Sequence, residues 1–112
     1  MYQGKYVFTQ IMETVSSYEF NKCVARFQGD KNLTHFKCWQ QFLCMAFGQL
    51  AYRESIRDIF TCLNAHKSKV YHLGLKKLVN ATTLTRANKN RDWRIWQDLA
   101  THLISVARPL YA

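Results

Sequence analysis

Acidic residues, proline and long apolar runs are scarce in this sequence, and each shortage narrows what the chain can be. Seven Asp and Glu stand against sixteen Lys and Arg, a formal net charge of +9. The single proline, Pro109, leaves the rest of the chain open to helix formation. No apolar run approaches the roughly 18 to 20 residues of a membrane-spanning helix, and no secretory signal follows Met1. We therefore expect a cytoplasmic protein that needs no membrane.

Cysteine pairs with the spacing of a metal site are also missing. Cys23, Cys38, Cys44 and Cys62 lie far apart, with no C-x-x-C motif among them. A disulfide framework is therefore not expected. His35 and Cys38 could share one helix face, but no second ligand pair with zinc-like spacing follows. The sequence favours buried, reduced thiols and no cofactor.

What the chain does contain is apolar residues at helical spacing. Its 112 residues, 48% of them hydrophobic, suit one domain with a core of its own. Apolar positions recur at steps of three and four, and no alternating strand pattern is seen. These features predict an all-α fold, a compact single-domain bundle of five to seven helices.

Start and stop signals divide the chain into these helices. Ser16 with Glu19, and Ser55 with Asp58, form the capping-box pattern of a helix start. Further starts are predicted at Thr34, Asn80 and Asp92, with stops near His66, at Gly74 and at Pro109. The expected core faces are Val7, Ile11, Met12 and Val15; Phe20, Val24 and Phe27; Phe36, Trp39, Leu43, Ala46 and Leu50, widened by Phe42 and Phe47; Ile56, Ile59, Phe60 and Leu63; and Trp93, Trp96, Leu99, Ala100, Leu103 and Ala107.

Positive charge is concentrated in the second half of the chain. Residues 1–52 hold five basic and three acidic residues, whereas residues 53–112 hold eleven and four. Within 66–94, eight basic residues stand against Asp92 alone. Such an asymmetry indicates a polyanionic partner. A solvated surface that maintains solubility would explain the charge equally well.

The segment 81–90 separates these two explanations on a helical wheel. With Leu84 pointing inward, the small or short residues Ala81, Ala87 and Asn88 fall beside it. Hydrogen-bonding and positively charged residues then form the opposite face: Thr82, Arg86 and Lys89 at its centre, with Thr85 and Asn90 at its edges. Arg can bind guanine, Asn can bind adenine, and Thr and Lys can hold phosphates. This face predicts contact with a DNA major groove.

Basic residues frame the same helix. Lys76 and Lys77 precede it, and Arg91 and Arg94 follow, which suits phosphate contacts on either side of a groove. A capped helix over 55–66, a short helical turn (SKVYHL) and then the basic helix have the order of a helix-turn-helix-like unit. The predicted DNA-binding residues are Lys76, Lys77, Thr82, Thr83, Thr85, Arg86, Lys89, Asn90, Arg91 and Arg94. The helix over 55–66, with Arg53 and Arg57, is the second candidate for the reading helix.

The expected organisation is therefore a single domain over 1–112. Residues 1–52 supply the supporting core helices, 53–94 the helix-turn-helix-like basic region, and 93–108 a closing helix. No internal repeat or low-complexity linker divides the chain.

Four stretches make the sequence resemble a known family. GKYVFTQIMETV, CVARFQGDKNLTHFKCWQQFLCMAFGQL, RESIRDIFTCLNAHKSKVYHLGL and TLTRANKNRDWRIWQDLA closely resemble the N-terminal domain of bacterial insertion-sequence transposases. These are of the insertion-sequence-four type, within the DDE superfamily. The resemblance runs from about Tyr2 to Tyr111, and RESIRDI, CLNAHKSKVYHLG and ANKNRDWRI are its most specific pieces. Where the family is expected to have S-T-L, this chain has Thr82-Thr83-Leu84, which keeps the hydroxyl.

The resemblance implies a DNA-binding domain that recognises transposon ends during DNA transposition. In such transposases a separate RNase H-like domain holds metal ions on two aspartates and a glutamate, the two-metal chemistry of strand transfer. None of the seven acidic residues of this chain matches that triad. The resemblance therefore implies that the catalytic domain is absent from these residues, that the chain is not an enzyme by itself, and that Mg²⁺ belongs only to the missing domain. The implied partner is double-stranded DNA, the transposon inverted repeats, and the implied location is the bacterial nucleoid.

Two other functions stay open. The aromatic residues Phe36, Trp39, Trp93 and Trp96 could exceed what a small core buries, which would suit a module that forms a homodimer or contacts another part of the transposase. Core packing is the simpler interpretation of the same residues. A stand-alone enzyme is disfavoured, because no nucleophile motif is seen and the four histidines are scattered. No small-molecule substrate is expected.

Overall fold

The computed structural model describes residues 7–33, 36–50, 55–65, 71, 75 and 81–111, with side chains from residue 10 to residue 110 of these ranges. Within them, six α-helices and one 3₁₀ turn occur, and no strand is found. The helices are α1 (Val7–Met12), α2 (Ser17–Arg26), α3 (Cys38–Leu50), α4 (Ile56–Ala65), α5 (Ala81–Asn90) and α6 (Arg94–Ala107), followed by the 3₁₀ turn Arg108–Tyr111. The predicted all-α class is confirmed.

Helix α3 lies at the centre of the described fold. On one side it packs with α1, α4 and α5 around Leu43, Phe47 and Leu63. On the other side Cys38, at its first turn, joins α2 and α6 around Phe20. Trp39 and Phe42 contact both clusters, and their rings lie 5.1 Å and 5.5 Å from that of Phe20. Because one helix serves both clusters, the two halves share a single core.

Both predicted capping boxes supply the helix starts. Ser16 Oγ accepts a hydrogen bond from the Glu19 amide at 3.3 Å, and Ser55 Oγ accepts one from the Asp58 amide at 3.1 Å. Each bond satisfies an amide that has no partner within its helix. The predicted caps Thr34 and Asn80 and the stop at Gly74 lie outside the described residues.

The start of α3 uses a residue that the sequence did not indicate. Asp30 Oδ1 accepts a hydrogen bond from the Cys38 amide at 2.7 Å, across an intervening turn. Gln40 Oε1 accepts the Lys37 amide at 3.0 Å, which is the returning half of a capping box. A carboxylate at this end is also favoured by the helix dipole.

Two predicted core positions are wrong. Leu50 is 48% exposed, because α3 turns its buried face through Cys44 and Phe47 before its last turn. Trp93 is 66% exposed, and Ile95, which the predicted closing face omitted, is fully buried with Leu99. Helix α6 begins only at Arg94, so the residue before it does not share the inward face of the helix.

All four cysteines are free thiols, as predicted, and three of them are buried. Burial raises the pKa of Cys38 and of Cys44 to about 12, so neither is a thiolate at neutral pH. Cys38 is therefore a poor metal ligand in this fold, and His35 lies outside the described residues. Among the helices described, none is both long and apolar enough to cross a membrane.

A tight turn at residues 27–33, hereafter the 27–33 turn, joins α2 to α3. Gln28 takes a left-handed conformation (φ 54°), and the Gly29 amide donates to the Val24 carbonyl at 2.9 Å. The Gln28 amide donates to the Ala25 carbonyl at 3.2 Å, which completes a Schellman motif. Gly29 then passes so close to the core that a Cβ there would lie 2.5 Å from Ile95 Cδ1 and 2.7 Å from Cys38 Sγ.

Gly29→Ala is expected to lower the free energy of unfolding by about 1 to 3 kcal/mol, because the added methyl group overpacks the junction of α3 and α6. Gln28→Gly is the matched control, since glycine suits the left-handed position and should leave stability unchanged or raise it by up to about 1 kcal/mol. Urea denaturation of the two variants checks the pair. Equal stabilities for the two would show that the turn does not pack against this junction.

Candidate nucleic-acid interface

Helix α5 is held to the rest of the fold by one apolar side. Leu84 is fully buried and Ala87 nearly so, in the cluster that α3 and α4 also form. Ala81 packs at the edge of the same cluster. The observed helix, Ala81–Asn90, coincides with the predicted segment and with its predicted inward side. Threonine and asparagine favour helix only weakly, so this contact with the core rather than propensity accounts for the helix.

The opposite side of α5 is exposed. The structure places Thr82, Thr85, Arg86, Lys89 and Asn90 there, all solvent-accessible. Thr85 Oγ1 donates to the Ala81 carbonyl at 2.9 Å, which leaves its oxygen able to accept a further hydrogen bond. No acidic residue occurs on α5, so this face combines positive charge with hydrogen-bonding groups. Thr83 is half-buried at its edge.

Arg91 has a part in the fold as well as a predicted part in binding. Its guanidinium donates to Gln41 Oε1 at 2.9 Å and to the Phe36 carbonyl, and it lies over the Phe36 ring. Gln41, the one buried polar side chain of the described residues, also donates to Asn88 Oδ1 at 2.8 Å. This Gln41 network fixes the end of α5 to α3. A glutamine inside the most apolar helix was the sequence signal that could have indicated it.

Gln41→Leu is expected to destabilise the protein by about 1 to 3 kcal/mol, because it leaves hydrogen-bonding groups of Arg91 and Asn88 without their partner. A double-mutant cycle with Asn88→Ala isolates the contact, and the coupling should be about 0.5 to 3 kcal/mol. Thermal and urea unfolding of the four proteins gives this value. Strict additivity would contradict the network.

Arg94 is exposed but its charge is balanced locally. Its guanidinium donates to both carboxylate oxygens of Asp92, with the shortest contact at 2.7 Å, and lies 4.7 Å from the centre of the Phe27 ring. These hydrogen bonds hold the pKa of Asp92 below its usual value. The Asp92 carboxylate also accepts the Arg94 amide at 3.0 Å, at the start of α6. The predicted phosphate contact of Arg94 stays a prediction.

The rest of the predicted unit is only partly described. Lys76 and Lys77 lie outside the described residues, as do Arg53 and most of the connection between α4 and α5. Helices α4 and α5 pack against each other, and Arg57 of the second candidate helix is exposed. The helix-turn-helix-like geometry therefore stays a prediction.

A cleft of about 660 Å³ lies beside the exposed face of α5. Thr83, Arg86 and Asn90 line one wall, and the 27–33 turn supplies the other, with Lys31 among its residues. Sequence reasoning missed this neighbour because the turn is some fifty residues away along the chain and carries no motif. Only folding brings Lys31 to the same cleft as Arg86.

No cluster of three or more His, Cys, Asp or Glu that could hold a metal occurs within the described ranges. Of the four histidines only His102 is described, and it lies 3.9 Å from a carboxylate oxygen of Glu19.

These features define an all-α domain with a basic, hydrogen-bonding helix on its surface. The chain belongs to the family described as "Domain of unknown function (DUF4372)", whose model matches residues 3–76. The match covers α1 to α4 and ends before α5 begins. No significant match was found among curated proteins or among solved structures.

Proposed function

We propose that this chain is the DNA-binding domain of a transposase and that it recognises transposon-end DNA through α5. The observation that carries the proposal is the division of α5 into two sides. One side is fixed in the core by Leu84, and the other exposes Thr82, Arg86 and Lys89 without any acid. A helix held in this way can enter a major groove as a rigid body, with its outward side chains against base edges.

The sequence supports the same function independently. The resemblance to N-terminal domains of insertion-sequence-four-type transposases implies binding to transposon ends, in a bacterial cytoplasm. The excess charge agrees with it, since phosphate contacts by Lys and Arg supply most of the affinity of such domains for DNA. A solvated basic surface has no need of a threonine- and asparagine-rich face.

Selection from a random duplex library tests the proposal without knowledge of the target. The bound sequences should converge on a motif that matches the inverted repeats flanking the source gene. A shift assay with that repeat and with a scrambled duplex then gives the ratio of the two affinities, for which we expect at least about 10³. Failure of the selection to enrich any motif would refute recognition by this domain.

Catalysis by this domain alone is not part of the proposal. We expect no nicking of DNA by the chain when Mg²⁺ or Mn²⁺ is added, because strand transfer would need the carboxylate triad of a separate domain.

Self-association is the second candidate function. Phe42, Met45, Trp96 and Leu103 line an apolar groove of about 490 Å³ between α3 and α6. Ile104 and Val106 expose more than half of their surface on the same helix. A second copy of the chain would bury these groups. Sedimentation equilibrium distinguishes the candidates, since a dimer that binds no DNA would favour this one.

A further inference from the structure

The cleft beside α5 has two walls of different origin. Arg86 and Asn90 stand on the α5 side, where they belong to the exposed face as well. Gln28 and Lys31 stand on the other side, in the 27–33 turn. Arg91, less exposed than Arg86, lies between the end of α5 and Phe36. Whatever rests against the exposed face of α5 therefore also lies next to the turn.

The turn holds Lys31 on a fixed backbone. The Schellman motif at Gln28 closes its first part, and the Leu33 amide donates to the Asp30 carbonyl at 3.1 Å in its second. Asn32 takes a left-handed conformation (φ 62°), which asparagine tolerates better than most residues. The side chain of Asp30 is used at the start of α3, where it accepts the Cys38 amide. The backbone under Lys31 is thus braced at both ends.

The charge of the cleft is positive. Lys31, Arg86 and Arg91 line it, against the single carboxylate of Asp92. That carboxylate is paired with Arg94. Arg91 donates its hydrogen bonds to two neutral oxygens and makes no ion pair within the described part of the chain. A partly buried cation without a carboxylate partner favours an anion in the space next to it.

We infer that this cleft receives a backbone phosphate of the same duplex whose groove α5 enters, with Lys31 and Arg91 as its ligands. The inference rests on the proposed function. A major groove is about 12 Å wide, so a helix within it has a sugar–phosphate strand on either side. Since Arg86 and Asn90 belong to both the exposed face and the cleft wall, one of these strands passes the cleft. Lys31 then holds the register of α5 without reading sequence.

Lys31→Ala tests this contact, with Lys22→Ala as its matched control. Lys22 has a similarly exposed side chain on α2, outside the cleft, in an ion pair with Glu19. Binding is measured on the selected duplex and on a random duplex between 50 and 200 mM salt. Lys31→Ala should weaken both complexes by the same factor and make the log–log salt slope less steep by about 0.9, the value of one lost phosphate contact. Lys22→Ala should change neither.

Neutral methylphosphonate groups placed singly along the selected duplex locate the contact. At one position the substitution should weaken binding by the wild-type protein but cause no further loss for Lys31→Ala. At the other contacted positions the two proteins should lose affinity equally. Circular dichroism of the variants verifies that both remain folded.

The outcomes separate the two proposals. A slope and affinity of Lys31→Ala equal to wild type, while Arg86→Ala still weakens the selected complex, would overturn the phosphate site and leave DNA recognition by α5 intact. A wild-type protein that binds no duplex would overturn both.

Discussion

Leu84→Ala is expected to lower the free energy of unfolding by about 2 to 5 kcal/mol, the largest change in stability that we predict. The Leu84 side chain is fully buried where α5 meets α3 and α4, and it is the main apolar group by which α5 contacts the core. Alanine is the better helix former, so the loss measures packing and not helix propensity. Chemical denaturation gives the value directly.

Lys89→Ala is the control on the same helix. Its side chain is exposed on the opposite face, and its removal should change stability by no more than about 0.5 kcal/mol. If both variants unfold at the same denaturant concentration as wild type, α5 is not anchored through Leu84. The orientation of its outward face would then be wrong as well.

Arg86→Ala is expected to cost about 1 to 3 kcal/mol of binding free energy on the selected duplex, which is a loss of about 5- to 150-fold in affinity. Arg86 is exposed near the middle of the outward face, so its guanidinium can approach the edge of a base. Random duplex should be affected much less, because nonspecific binding depends on phosphates. The fold should be unchanged, since the side chain makes no contact that the core needs.

Lys77→Ala is the comparison for Arg86→Ala, because the sequence predicts a phosphate contact there. It should weaken binding to the selected and the random duplex about equally. Titration of both variants against both duplexes separates base reading from phosphate holding. If Arg86→Ala reduces both affinities by one factor, α5 does not read the DNA, and α4 with Arg57 becomes the candidate.

Local signals predicted the helices of this fold well. The serines at positions 16 and 55 start their helices by bonds to the third residue beyond them, which depend only on nearby residues. Leu84 fixed the inward side of α5 on a wheel because no other large apolar residue competes with it there. Where one residue decides a helix face, periodicity is enough.

Contacts between distant segments were not predictable in the same way. Ile95 is buried and Trp93 exposed because α6 begins one residue after the tryptophan, and a boundary error of one residue turns a helix face by about 100°. The capping of α3 by Asp30, the Gln41 network and the position of Lys31 each join residues that no local motif connects. These contacts follow from packing of the whole domain.

Salt dependence of binding to the selected duplex tests most directly whether the basic surface around α5 binds DNA. Three to five phosphate contacts predict a log–log slope of about −2.7 to −4.5, or a loss of about 40- to 500-fold in affinity between 50 and 200 mM salt. The selected duplex should remain the tighter ligand throughout this range. An affinity that does not change with salt, or an equal affinity for selected and scrambled duplexes at every salt concentration, would contradict the account.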